Sequence, residues 1–143
     1  MEYLRNLLTK KGYQVLVEPT IATRQGNRKP DLIVTSEADC RIIDVTITAD
    51  VFNMAGAFDQ KVAYYYDEDI LRWATEKWPG RLMSTSAVVY NWRGAVYVQS
   101  ARLLRDLGVS DFELRVMAVR DLTYTRNMFR HFTRSTTSTR TAT

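Results

Sequence analysis

Two runs of β-branched residues constrain this chain more than any other feature. Asp31-Leu32-Ile33-Val34-Thr35 and Arg41-Ile42-Ile43-Asp44-Val45-Thr46-Ile47-Thr48 are separated by the turn-like Ser36-Glu37-Ala38-Asp39. Such runs around polar turn residues predict a strand hairpin. Side chains alternate across a strand, so Asp31, Ile33 and Thr35 share one face, as do Ile42, Asp44 and Thr46. A turn centred between Glu37 and Ala38 sets Thr35 opposite Cys40, Ile33 opposite Ile42 and Asp31 opposite Asp44. Opposed side chains have Cβ atoms about 5 Å apart. A one-residue slip would send the two acids to opposite faces.

Two carboxylates at that separation repel by several kcal/mol at an effective dielectric near ~20. Two arrangements fit the pattern. Both acids stand at strand ends facing water, which Pro30 before Asp31 favours at the first position. Alternatively a proton or a cation sits between them, which Asp44 favours because it interrupts an apolar strand. Mg²⁺ suits the cation case: it is hard, takes oxygen ligands and uses one or two carboxylates plus water and phosphate oxygens. Such a site can activate water and offset charge developing on a phosphodiester.

Around this hairpin the periodicity predicts a mixed α/β domain with helices on a sheet. Glu2 to Lys11 reads as a helix ended by Gly12, and Tyr13 to Glu18 as a strand. Thr23 to Lys29 reads as a polar loop containing Gly26. Met54 to Lys77 reads as one long helix, with Met54, Phe58, Val62, Tyr65, Tyr66, Ile70 and Trp73 at three- and four-residue steps. Leu82 to Tyr90 is a strand and Ser100 to Leu107 a short helix. A last helix to about His131 starts at Ser110 or Asp111, with Glu113 completing a capping box. Residues 1–133 form one domain in this reading, and the Ser/Thr-rich 134–143 a disordered tail.

Composition narrows the function classes. The chain is 45% hydrophobic and 25% charged, enough to bury a core in 143 residues. No apolar run is long enough to cross a bilayer, and the amino end lacks a secretory pattern. One Cys and one His exclude an internal disulfide and a zinc-finger ligand set, and fit a reducing compartment. Residues 1–29 carry six basic and two acidic side chains; residues 120–143 carry five and one; residues 30–119 carry nine and thirteen. Two basic ends around an acidic centre suit a polyanion held near a cation site, or an ordinary solvated surface.

The order and spacing of several phrases resemble the PD-(D/E)xK nuclease superfamily, and more narrowly the restriction-like endonuclease domain of site-specific non-LTR retrotransposons. They are Glu18-Pro19-Thr20-Ile21, Gly26-Asn27-Arg28-Lys29-Pro30-Asp31-Leu32, Ile43-Asp44-Val45-Thr46, Lys61-Val62-Ala63-Tyr64-Tyr65, and Asn91-Trp92-Arg93-Gly94 followed by Ser100-Ala101 and Leu107-Gly108. The superfamily's usual lysine stands two residues after the second acid, where this chain has Thr46. The retrotransposon domains resemble this chain in moving the lysine to the next helix, at Lys61.

The resemblance implies a restriction-endonuclease-like core, a mixed sheet flanked by helices. It implies Asp31 and Asp44 as ligands of Mg²⁺ (Mn²⁺ substituting), Glu18 as a third acid, and Lys61 and Tyr65 as catalytic groups. Arg24, Arg28 and Lys29 would contact DNA, and Glu2 is a distant candidate acid. By charge alone, Arg120, Arg126, Arg130, His131 and Arg134 make the last helix and tail either a phosphate-binding surface or a solvated helix face. The activity implied is nicking of double-stranded DNA to prime reverse transcription. Other domains of a polyprotein and a nuclear location go with it. A silent nucleic-acid-binding module and a junction-resolving nuclease are the alternatives. Tyr64, Tyr65, Tyr66, Trp73, Trp78 and Trp92 are expected mostly in the core, and Cys40 has no assigned role.

Overall fold

The computed structural model describes residues 1–49 and 53–120. The hairpin forms as the pattern predicts. Strand β4 (Leu32–Thr35) pairs antiparallel with β5 (Asp39–Thr48), with Thr35 opposite Cys40 and Ile33 opposite Ile42. On the outer side of β4 lies β1 (Gln14–Val17), also antiparallel. Strand β6 (Leu82–Asn91) runs parallel to β5 along its full length, giving a four-stranded mixed sheet of order β1-β4-β5-β6. All four residues of β4 are buried, because helices cover both faces of the sheet.

One face carries helix α1 (Glu2–Lys10), helix α4 (Val98–Asp106) and a helical segment at 111–120. Leu4, Leu8, Leu104, Leu114 and Met117 meet Leu32, Val34, Ile43 and Val88 there. The opposite face carries α2 (Met54–Tyr65) and α3 (Glu68–Lys77). Tyr65, Ile70 and Ala74 pack with Ile33, Cys40 and Ile42, while Met54 and Phe58 pack with Ala87 and Val89. Alternation along the hairpin thus sorts the odd and even positions between two separate cores. No helix among the described residues is long and apolar enough to cross a membrane.

The capping box is present in both directions. The Ser110 N–H donates to Glu113 Oε1 at 2.9 Å and the Glu113 N–H donates to Ser110 Oγ at 3.1 Å. Lys11 reaches Glu113 at 3.2 Å and ties the end of α1 to this turn. The helix is described only as far as 120, so Arg126, Arg130, His131, Arg134 and the tail lie outside the described residues.

Two local expectations are corrected. The long helix from Met54 to Lys77 is two helices, broken at Tyr66-Asp67. Asp67 is extended (φ −120°, ψ 138°) and its carboxylate accepts from the N–H groups of Asp69 and Ile70. A capping aspartate offers the backbone a better partner at a helix start than inside a helix. The supposed loop at Thr23 to Lys29 is a tight hairpin, β2 (Ile21–Thr23) with β3 (Gly26–Arg28). Its turn is Arg24-Gln25, and Gly26 takes the positive φ of 108° that closes it. Polar composition concealed these short strands; Ile21, fully buried against the α3 core, is their anchor.

Candidate active site

The two acids meet where the hairpin opens. Beyond Leu32–Ile43, the last paired residues of the ladder, Asp31 continues toward Asp44. Its side chain closes the ladder in place of a backbone carbonyl: Asp31 Oδ2 accepts from the Val45 N–H at 2.7 Å. The Asp31 carbonyl accepts from the Glu18 N–H at 2.9 Å, which pins the entry to β4. Glu18 itself holds a φ of 48°, left-handed backbone unusual for a residue with a side chain.

Burial, first, pushes the Asp31 carboxyl up to about 6; the Val45 N–H pulls against it, and the charge of Asp44 adds to the rise. Asp44 is buried, 5% exposed, on the face that looks toward α2. Its Oδ2 accepts from the Thr46 hydroxyl at 3.0 Å and lies 3.4 Å from Lys61 Nζ. Thr46 therefore does have a place at the site: in the absence of a lysine at that position, its hydroxyl orients Asp44. The sequence showed only that this position lacked a charge.

Lys61 reaches Asp44 from α2, one turn before Tyr65 on the same helical face. Tyr65 is buried, and its hydroxyl donates to the Lys29 carbonyl at 3.2 Å. Burial foremost, then Asp44 and Asp31, pushes its phenol up to about 12, so it remains a hydrogen-bond donor at neutral pH. The chain thus brings Asp31, Asp44, Lys61 and Tyr65 together, from two strands and one helix.

The other candidates are placed differently. Glu18 has a half-exposed side chain 3.9 Å from Lys29, and its charge is felt at Asp31. Among the described residues no three His, Cys, Asp or Glu side chains are grouped to hold an ion. Glu2 is exposed on α1, whose Leu4 and Leu8 pack on the other face of the sheet. Arg24 is engaged by α3, with its guanidinium 3.1 Å from Asp69 and 3.2 Å from Glu68. Arg28 lies over the Tyr64 ring, 4.6 Å from its centroid, and Lys29 is exposed beside Glu18.

The aromatic expectation holds for Tyr65. Trp73 and Trp78 are partly buried against the α3 core, edge to face at 5.8 Å. It fails for Tyr64, Tyr66 and Trp92, which are exposed. Helical periodicity had assigned Tyr66 inward, but the helix ends there.

A buried and a half-buried carboxylate with a helix amine beside them can hold a hard divalent cation or a shared proton, and present a positive group to an anion. No family model matches the chain. It is 30% identical over 137 residues to a retrovirus-related Pol polyprotein from a type-1 R2 retrotransposable element of Nasonia vitripennis, an alignment covering 94% of this chain. R2 Pol polyproteins are homologues of this chain. The corresponding R2 polyprotein of Popillia japonica is 33% identical over 109 residues, 75% of this chain. The type-2 element R2DM of Drosophila melanogaster gives 28% over 128 residues, 87% of this chain. The chain spans 13%, 23% and 12% of these R2 polyproteins, so what is homologous is one retrotransposon-related segment of a much larger protein.

Proposed function

We propose that this domain is a metal-dependent DNA endonuclease with a restriction-endonuclease-like core, nicking double-stranded target DNA to start reverse transcription of a retrotransposon. The carrying observation is the convergence of Asp31, Asp44 and Lys61, with Lys61 Nζ 3.4 Å from an Asp44 oxygen. The R2 homology supports the retrotransposon setting and companion domains on one polyprotein; a reverse transcriptase among them and a nuclear location belong to the same proposal.

The residues fit a hard cation. Asp31 is an acid held in a half-buried place beside Asp44 at a cost to its own ionisation, and a positive charge between the two would relieve that cost. Asp31 and Asp44 would hold Mg²⁺ or Mn²⁺; the ion, when bound, would supply Lewis-acid stabilisation and a more acidic water. Thr46 holds one Asp44 oxygen, leaving the carboxylate a single preferred orientation. Lys61, 38% exposed, is free to turn from Asp44 toward a phosphate oxygen and steady the charge that grows there. Tyr65 braces Lys29 through its carbonyl, so the backbone that leads into Asp31 is tied to α2.

Nicking of supercoiled plasmid in Mg²⁺ by the chain tests this reading. The parent is expected to cut and Asp44→Asn to lose cutting. Cutting unchanged in Asp44→Asn would refute it. DNA binding without cutting by the parent would leave a silent binding module, and preference for four-way over linear DNA a junction-resolving enzyme.

A further inference from the structure

Three consecutive tyrosines at the end of α2 meet three environments. Tyr65 is 6% exposed, Tyr64 47% and Tyr66 66%. Tyr64 is not a neglected surface ring. The Arg28 guanidinium sits 4.6 Å over its centroid, and the Tyr64 and Tyr65 rings are nearly perpendicular, 86° apart with centroids at 4.9 Å. Among the described residues the Arg28 guanidinium otherwise meets only the Gln25 and Asn27 carbonyls and the Gln25 side-chain amide oxygen, all at 3.4 Å, and pairs with no carboxylate. Arg24, four residues earlier, is by contrast held by Asp69 and Glu68. The two arginines of one hairpin therefore differ: one staples the hairpin to α3, the other lies against the Tyr64 ring without a carboxylate among the described residues.

We propose that Tyr64, backed by Arg28, is a stacking platform for an unpaired base of the DNA strand beside the cut; this rests on the nuclease reading above. Tyr64 touches Tyr65, which senses both Asp44 and Asp31, so the platform is one ring away from the acid pair. An exposed ring lying against the cation of Arg28 matches the alternation of base and phosphate along a nucleic-acid strand. It does not match a purely apolar partner, which would leave the Arg28 charge desolvated without a carboxylate. A base within a duplex has both faces covered by its neighbours, so only a displaced or unpaired base can meet the ring. The platform would hold such a base while the adjoining phosphate lies at the carboxylates.

The full chain in EDTA, which cuts nothing, is titrated with a short duplex and with the same duplex carrying an unpaired 2-aminopurine. The parent is expected to prefer the second probe and to quench its fluorescence. Tyr64→Leu should weaken that binding about tenfold and abolish the quenching, while changing affinity for the paired duplex less than about twofold. Tyr64→Phe should behave as the parent, which also shows that the position tolerates substitution. Unchanged affinity and quenching in Tyr64→Leu overturns the proposal. So does a parent that ignores the unpaired base, or one whose self-association, rather than DNA binding, depends on Tyr64. An enzyme that nicks yet fails this test keeps the nuclease function without the platform; one that passes yet does not nick keeps the platform alone.

Discussion

Replacing Asp31 by asparagine should make the metal-free protein more stable while removing its activity. The Asp31 carboxyl is pushed by burial from an ordinary 3.8 up to about 6. A folded value above the unfolded one means stability that is fully present at low pH and lost as pH rises through about 6. Each pKa unit is worth about 1.4 kcal/mol, so ionised Asp31 costs up to about 3 kcal/mol at neutral pH. Water at the half-buried site lowers that to about 2 kcal/mol. The amide oxygen of Asp31→Asn can still accept from the Val45 N–H, and the amide N–H can donate to Asp44, so no buried group is stranded. In a domain of this size about 2 kcal/mol corresponds to a Tm higher by about 8 °C. Thermal melts in EDTA at neutral pH read this directly. The gap should close below about pH 4, where the parent carboxyl is protonated in both states. Added Mg²⁺ should raise the parent's Tm and leave the variant's unchanged. A variant that melts at or below the parent's temperature at neutral pH would show that the acid pair stores no electrostatic cost.

The remaining expectations follow from single contacts. Lys61→Met keeps the apolar stem on α2 but removes the amine beside Asp44, and should lower the nicking rate by about a hundredfold or more with DNA affinity nearly unchanged. Thr46→Val removes the hydroxyl that orients Asp44 and should slow nicking about tenfold, whereas Thr46→Ser keeps the rate within about twofold, both read in single-turnover assays. Cys40 is fully buried, and burial pushes its thiol up to about 11; it should resist a thiol reagent in the native state and react only on unfolding, as timed thiol labelling in denaturant would show. Ser110→Ala deletes one half of the capping box and should lower stability by about 1 kcal/mol in urea melts, without altering nicking.

How much of this site the chain's order alone dictated can be followed residue by residue. The hairpin register came from alternation and turn position, since a slip would bury polar residues and expose Ile33 and Ile42, so the meeting of Asp31 with Asp44 was decided locally. The Ser110–Glu113 box was equally local, being a pattern of three-residue reach. Tertiary structure decided the rest. Lys61 finds Asp44 because α2 packs across β5 and β6, and the Thr46 hydroxyl turns to Asp44 because both share the face beneath that helix. Arg24 is captured by Asp69, 45 residues away, a partner no neighbouring pattern announces. Tyr64 and Tyr65 are adjacent and chemically identical; only the packing of α2 on the sheet sends one to the core and the other to water. Short-range sterics and backbone hydrogen bonds are written into consecutive residues, whereas the sharing of one cavity by distant side chains exists only once the layers have packed.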